Sequence, residues 1–143
     1  MSGAVGVTVR PWQPDDHEDV QRLLRLLSRD ASIVARDAPT YVAQSGMQVV
    51  GMVTLCEFRT LTGPKAYLDH LVVAPDHRRR GIGRALVQHA IAEARAAGAS
   101  RIDLTAGETK HAGGALYGSL GFQRRDTRVF RLHIAPRADR PAP

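Results

Sequence analysis

The order of hydrophobic patterns along the chain predicts a mixed α/β fold, in which helices cover the faces of one sheet. Stretches where apolar and polar residues alternate predict strands, and stretches with apolar residues at helical spacing predict helices. In chain order they give a strand, a helical region, three strands, a helix, a strand, a helix and a last strand. At 143 residues, 43% of them apolar, the chain suits a single domain with one core.

The beginning of the chain predicts a strand followed by an amphipathic helix. The strand is indicated by alternating valines, namely Val5, Val7 and Val9. Pro11 and Pro14 interrupt it, and Asp15 or Asp16 can cap the helix that follows. This helix carries one apolar stripe, formed by Val20, Leu23, Leu24 and Leu27. Residues 28–39 predict a variable loop or a short second helix.

The remaining elements follow in chain order: strands at 41–44, 49–55 and 66–73, a helix at 83–97, a strand at 101–105, a helix at 112–120 and a last strand containing Phe130, Leu132 and Ile134. Ser45 and Gly46 favour a hairpin between the first two of these strands. Gly98 ends the long helix. Residues 135–143 predict a disordered tail, which leaves 1–134 as the single domain.

The segment His-Arg-Arg-Arg-Gly-Ile-Gly-Arg-Ala-Leu, at 77–86, lies between a predicted strand and the predicted long helix. The first turn of a helix offers backbone N–H donors and a partial positive charge. Gly81 and Gly83 let an anion approach the backbone because they have no Cβ. Formal charge is added by Arg78, Arg79, Arg80 and Arg84. The pattern is typical of a pyrophosphate site.

Several protein families bind phosphate at a glycine-rich helix start, and the spacing of the motif residues distinguishes them. A P-loop needs a Lys-Ser/Thr pair, which is absent, and a dinucleotide fingerprint needs a third glycine where Leu86 stands. The remaining pattern, Arg78-x-x-Gly81-x-Gly83, resembles the acyl-CoA signature of the GCN5-related N-acetyltransferase (GNAT) superfamily.

Two further motifs carry the resemblance. The segment from Leu116 to Phe122 resembles the late Leu-Tyr-x-x-Leu-Gly-Phe motif of the superfamily, with Tyr117 as its tyrosine. The segment Leu-Asp-His-Leu-Val-Val at 68–73 resembles its central acidic-then-apolar strand. The resemblance implies a mostly antiparallel sheet of six to seven strands with about four helices.

The resemblance also implies acetyl-CoA as co-substrate and no metal. Acetyl-CoA would lie in a cleft between the strand ending at Val73 and the strand ending near Thr105. Its pantetheine arm would pair with the backbone of Leu71, Val72 and Val73 like an added strand. Its diphosphate would lie on the N–H groups of residues 79–84, around Ile82.

In the chemistry that the resemblance implies, a primary amine of a small molecule or peptide attacks the thioester directly. The N–H of Leu71 or Val72 would stabilise the oxyanion. Tyr117 would protonate the leaving thiolate.

The base that takes the proton of the amine has several candidates. Asp69 matches the position of a family glutamate, acting directly or through water. His70 is the alternative, although strand alternation predicts that it faces away from Asp69. Glu108 could line the substrate mouth, and Lys110 could meet a phosphate. Cys56 is predicted to be a small core residue rather than a nucleophile.

The charge and composition of the chain bear on alternative functions and on the kind of acceptor. The net charge of +6 suggests nucleic acid, but the arginines are spread along the chain and aromatic residues make up only 5%, so specific nucleic-acid binding is not predicted. A non-catalytic acyl-CoA sensor or interaction module on the same fold is the alternative to an enzyme. The arginine-rich segments 25–39, 58–64 and 124–128 suggest an acceptor that carries an anion.

The absence of an apolar span, of a signal peptide and of a second cysteine favours a cytoplasmic protein without membrane contact. The histidines show no metal-ligand spacing. We expect a monomer or a homodimer.

Overall fold

The computed structural model describes residues 6–106 and 111–135, the last range with backbone only at 111–113. It divides the chain into two compact units, Met1–Leu104 and Thr105–Pro143. The first unit holds one five-stranded sheet in the order β1-β2-β3-β4-β5. Its strands are β1 (Thr8–Pro11), β2 (Thr40–Ser45), β3 (Gln48–Thr60), β4 (Gly63–Val73) and β5 (Ile102–Asp103).

The first four strands pair antiparallel and β5 joins β4 in parallel, which confirms the mixed, mostly antiparallel sheet. The first unit also contains helices α1 (His17–Leu27) and α2 (Ile82–Ala96), and the second unit contains α3 (His111–Ser119). Short 3-10 turns cover Pro14–Asp16 and Pro75–His77. None of the described helices has the length and apolar character that crossing a membrane requires.

The two helices of the first unit cover opposite faces of the sheet. The predicted stripe of α1, apart from the exposed Leu27, packs against a cluster from β2, β3 and β4 that consists of Val42, Val49, Met52 and Val72. On the other face, a Cβ built at Gly51 would lie 3.0 Å from Leu86 and 3.3 Å from Ile82, so α2 approaches β3 closely there. Neighbouring residues of a strand point to opposite faces, which explains why Gly51 and Met52 meet different helices.

The sheet is smaller than the six to seven strands expected. The described residues contain no strand at 130–134, and Phe130 there is 89% exposed. Alternation alone does not make a strand, because a strand needs a neighbour to satisfy its backbone groups. In the described part of the second unit no strand supplies that neighbour.

The helix count is also lower than the four expected: the described residues form three α-helices. Residues 28–39 form turns and coil, so the open choice at this segment resolves to a loop. The side chain of Gln21 replaces helical hydrogen bonds there: its Nε2 donates to Ala31 O at 2.7 Å, and its Oε1 accepts from Ile33 N at 3.0 Å. The loop is thereby tied to α1.

At the chain start, Pro11 does not break the first strand. It is the last residue of β1 and pairs with Tyr41. Proline is tolerated because β1 is an edge strand, where one side of the backbone needs no partner. Val5 lies outside the described residues.

Candidate active site

The centre of β4 contains a β-bulge. Thr54 pairs with Asp69 and Met52 pairs with Val72, so Val53 alone stands opposite the two residues His70 and Leu71. The backbone of His70 adopts a φ of 51°, in the left-handed region. A bulge of this kind turns side chains away from the regular alternation of a strand.

The bulge overturns the prediction that His70 and Asp69 face opposite sides. His70 Nε2 lies 3.6 Å from Asp69 Oδ2, and the two side chains are 45% and 52% exposed. The backbone N–H of His70 donates to Asp69 Oδ1 at 2.8 Å. The two candidate bases therefore form one exposed pair.

The other ring nitrogen of His70 points into the protein. His70 Nδ1 lies 3.4 Å from Thr54 Oγ1, and Thr54 Oγ1 lies 3.1 Å from Thr40 Oγ1. The Thr40 hydroxyl donates to the carbonyl of Ala38 at 3.0 Å. Both threonines are buried. Their role was not predicted from the sequence. Two polar residues in otherwise apolar core strands nevertheless indicate positions that serve a hydrogen bond.

Cys56 is exposed, contrary to the prediction of a core residue. It follows the buried part of β3, where the strand continues beyond the covered core. Partial burial raises the pKa of its thiol, and the negative charge of Asp69 raises it further. Cys56 is thus held in the protonated form, which is a poor nucleophile.

The backbone of β4 after the bulge presents an open edge. Ala74 N–H donates to Val50 O at 2.8 Å, so by the alternation of an antiparallel ladder Val72 also bonds to β3. Leu71 and Val73 consequently direct their backbone groups to the other side. In the described chain β5 pairs with β4 only at Ala66 and Tyr67. On this edge Val73 O accepts from Arg78 Nε at 3.0 Å, whereas the N–H of Leu71, rather than that of Val72, lies on the side that an extended ligand can approach.

The segment between β4 and α2 has two left-handed residues, Arg79 at φ 64° and Gly81 at φ 80°. Gly81 is the N-cap of α2, and as a glycine it has no side chain of its own to cap the helix. The first bond of the helix runs from Ala85 N to Gly81 O at 3.0 Å. The N–H groups of Ile82 and Gly83 come before the first donor of the helical ladder, so they have no acceptor within the helix. Left-handed residues in such a loop direct successive backbone N–H groups toward one point.

Charged side chains surround this turn. Arg78 Nε donates to Val73 O at 3.0 Å, which ties the loop to the end of β4. Arg79, Arg80 and Arg84 are exposed. A hydrogen bond from His77 lowers the pKa of Asp76, and the charge of Arg80 contributes to that shift. The loop keeps a surplus of positive charge beside the helix N-terminus.

The second unit holds Tyr117 on α3. Its ring packs edge-on against Phe122, with 5.7 Å between ring centroids. The N–H of Phe122 donates to Tyr117 O at 3.0 Å, so Gly121, at φ 95°, folds the chain back after the helix. Burial raises the pKa of the Tyr117 hydroxyl, which keeps its proton at neutral pH.

Two predicted residues, Glu108 and Lys110, lie outside the described part of the chain. Among the described residues no three His, Cys, Asp or Glu side chains are grouped as metal ligands.

The geometry was compared with known proteins. A model of the "Acetyltransferase (GNAT) family" matches residues 7–122. The chain is 37% identical over 102 residues to N-acetyltransferase family 8 member 3 of Rattus norvegicus, covering 67% of this chain and 45% of that protein. The chain thus spans less than half the length of that relative.

Two further proteins are similar over nearly the whole chain. Aminoglycoside N(6')-acetyltransferase type 1 of Acinetobacter genomosp. 13 is 28% identical over 141 residues, covering 94% of this chain and 92% of that protein. The solved structure of aminoglycoside N-acetyltransferase AAC(6')-Iy in complex with CoA superposes with a TM-score of 0.77 at 14% identity, over 90% of this chain and 95% of that one. At that identity the likeness concerns the fold.

Proposed function

The chain belongs to the acetyltransferase (GNAT) family, and from this premise we propose that it transfers an acetyl group from acetyl-CoA to a primary amine of a small molecule or peptide. The observation that carries the proposal is the uncapped N-terminus of α2, with Gly81 left-handed before it and arginines around it. An anion with two phosphates suits that site, because N–H donors and the helix dipole act on it together. The diphosphate of acetyl-CoA is such an anion.

The open edge of β4 supports the position of the donor arm. An extended pantetheine chain can hydrogen-bond with Leu71 and Val73 as a further strand would. The N–H of Leu71 then lies on the side of the thioester, where a donor stabilises the oxyanion of the tetrahedral intermediate. The bulge at His70 and Leu71 brings the side chain of His70 to the same side of the strand as that of Asp69.

Two side chains serve proton transfer in this proposal. Asp69 takes part in accepting the proton of the acceptor ammonium, directly, through water or together with the adjacent His70. Tyr117 donates a proton to the CoA sulfur as the C–S bond breaks. Burial favours this role, because it keeps the phenol protonated. No covalent intermediate with the protein is required.

The acceptor is proposed to carry a carboxylate or another anion. Arg36, on the loop after α1, lines a small cavity with Trp12, Gln13, Pro14 and His17. Trp12, in its lining, is joined to the first residue of β2, because Trp12 N–H donates to Thr40 O at 3.0 Å. An arginine beside an indole and an imidazole suits a carboxylate group.

Release of free thiol from acetyl-CoA tests the proposal. The panel contains amino acids and acidic dipeptides, neutral amines such as tyramine, an aminoglycoside, and spermidine. We expect amine-dependent thiol release that is fastest with the carboxylate-bearing amines. Substitution Arg36→Gln should lower kcat/KM for these acceptors about tenfold, the loss of one charged hydrogen bond. The matched control is Arg95→Gln, at an exposed arginine in the last turn of α2.

The outcomes separate the alternatives. Fastest turnover of spermidine would contradict the anionic acceptor and leave the transfer itself intact. Binding of acetyl-CoA without thiol release from any amine would favour the non-catalytic sensor.

A further inference from the structure

We infer that His70 Nε2 is the atom that takes the proton from the acceptor amine, and that Thr40 and Thr54 hold the imidazole in the tautomer this requires. The inference rests on the proposed acetyl transfer and names the base within it. It is carried by one hydrogen-bond chain that runs from the backbone of Ala38 through two buried hydroxyls to the ring of His70.

The carbonyl of Ala38, at one end of this hydrogen-bond chain, determines which group donates at each step. A carbonyl oxygen can only accept, so the hydroxyl proton of Thr40 is used on Ala38 O. Thr40 Oγ1 must then accept from the Thr54 hydroxyl, 3.1 Å away. The Thr54 proton is now used as well, so Thr54 Oγ1 accepts from His70, at 3.4 Å. The donor is therefore Nδ1–H, and Nε2 of the neutral ring carries the lone pair.

The surroundings of Nε2 suit a proton acceptor. Nε2 lies 3.6 Å from Asp69 Oδ2, on a side chain that is 45% exposed and hence accessible to a substrate. A proton transferred to Nε2 would lie on the side of the Asp69 carboxylate. Asp69 thus acts through His70, as its counter-ion, and is held in place by the backbone N–H of His70 at 2.8 Å.

The backbone at His70 agrees with a specific placement. A side chain with a β-carbon at φ 51° is uncommon and costs about 1 to 3 kcal/mol unless the surroundings fix it. In a regular strand the ring would point to the other face of the sheet, away from Asp69 and Thr54. The bulge therefore brings three partners together that a regular strand would separate.

These groups account for every proton that moves in the reaction. His70 Nε2 takes one proton from the ammonium, and the free amine forms the C–N bond to the thioester carbon. Collapse of the intermediate breaks the C–S bond, and the sulfur leaves with its electron pair and receives a proton from Tyr117. The nitrogen still carries two protons at this stage: one reprotonates Tyr117, and the other stays on the amide. The products are the amide, the CoA thiol and one proton that His70 releases to solvent.

Nitrogen-15 NMR of the histidine rings tests the tautomer without any need for turnover. The His70 signals are assigned by their loss in His70→Asn, since asparagine tolerates a left-handed backbone. We expect a proton on Nδ1 in the wild type. Thr54→Val, which removes the hydroxyl but keeps the volume, should allow the Nε2–H form to dominate, and Thr54→Ser should restore the wild-type signal. A proton on Nε2 in the neutral wild-type ring would overturn the inference.

Steady-state kinetics test the role. His70→Asn should lower kcat about 100-fold, the lower end for loss of a general base, while the KM for acetyl-CoA stays unchanged. Thr54→Val should lower kcat about tenfold, and Thr54→Ser should recover it. A kcat of His70→Asn within about twofold of the wild type would show that another group takes the proton. Failure of the wild type to release thiol with any amine would instead count against acetyl transfer itself.

Discussion

Asp16 is the most tightly bound carboxylate among the described residues of the first unit. Arg10 donates to both of its oxygens, at 2.8 and 2.9 Å, and Gln13 N–H donates to Oδ2 at 2.7 Å. The hydrogen bonds from Arg10 lower the pKa of Asp16, against the opposing effect of burial. The sequence predicted that Asp15 or Asp16 caps α1. Asp16 does stand at the N-cap, but its side chain makes no cap hydrogen bond and joins β1 to the start of the helix instead.

Substitution Asp16→Asn should destabilise the fold by about 2 kcal/mol at neutral pH, since it leaves a guanidinium with a weaker acceptor. Because the folded protein lowers the pKa of Asp16, its contribution is complete above about pH 4, the value of an unfolded aspartate. It is lost as the pH falls through the lower folded value. Urea denaturation at several pH values measures this.

The control for this experiment is Asp15→Asn, at the exposed neighbouring position. It should change the unfolding free energy by less than about 0.5 kcal/mol. An equal effect of the two substitutions, or a loss in Asp16→Asn that does not diminish as the pH falls below about 4, would contradict the assignment.

Tyr117→Phe tests the proposed acid. Loss of the hydroxyl should lower kcat by about 100-fold while acetyl-CoA affinity stays within about twofold, because the group acts on sulfur only as the C–S bond breaks. The ring contact with Phe122 is retained in this variant, so the packing of α3 is preserved. Unchanged kcat would remove Tyr117 from the mechanism.

At the scale of elements, α2 depends on a close contact with β3. A Cβ at Gly51 would meet Leu86 at 3.0 Å, Ile82 at 3.3 Å and the carbonyl of Val72 at 3.3 Å. Ile82 is the first residue of the helix, so this contact also fixes where the phosphate loop ends. The glycine permits the helix to lie directly on the sheet.

Gly51→Ala should therefore destabilise the protein by about 1 to 3 kcal/mol through overpacking, and weaken acetyl-CoA binding by moving the first turn of α2. Gly114→Ala in α3 is the control, because no atom of the described residues lies within 4 Å of its added Cβ. That substitution should stabilise the protein by about 0.5 to 1 kcal/mol, as in other helix interiors. Thermal unfolding and calorimetry measure both effects. A neutral Gly51→Ala would show that α2 can shift without cost.

Elements with a strong local period were predictable from the sequence, whereas those set by distant partners were not. The helix predicted at 83–97 is α2 (Ile82–Ala96), because an apolar face and Gly98 define it locally. The bulge at His70 depends on register with Val53, which no pattern within β4 reveals. The predicted strand at 130–134 failed for the same reason, since strand formation depends on a partner.

The site shows the same division. The motif at 77–86 predicted a helix start at Gly83, and the structure places it one residue earlier, at Ile82, after a left-handed Gly81. The buried pair Thr40 and Thr54 was missed, because the two residues meet only across paired strands. The contact between Asp69 and His70 was predicted not to form. Sequence thus predicted the part of the site built by one loop, and missed the part assembled from three strands.

At the scale of the whole molecule, the proposed function requires that an anion binds at the start of α2. Part of the net charge of +6 would then contribute to binding this anion. The roles of the site residues follow only if acetyl-CoA binds there. The two ends of α2 offer a pair of positions, since Gly83 lies in its first turn and Gly98 follows its last. Gly98 has a left-handed backbone, at φ 81°, which aspartate tolerates better than most residues. An aspartate at either one adds the same side chain and charge.

Calorimetric titration of acetyl-CoA into the wild type, Gly83→Asp and Gly98→Asp tests this claim most directly. The account predicts binding by the wild type in the range of about 1 μM to 1 mM that is usual for enzyme substrates. It predicts no detectable binding by Gly83→Asp and nearly unchanged affinity for Gly98→Asp, with both variants folded by circular dichroism. A folded wild type that shows no heat with acetyl-CoA at millimolar concentration, or a Gly83→Asp variant that binds as tightly as the wild type, would contradict it.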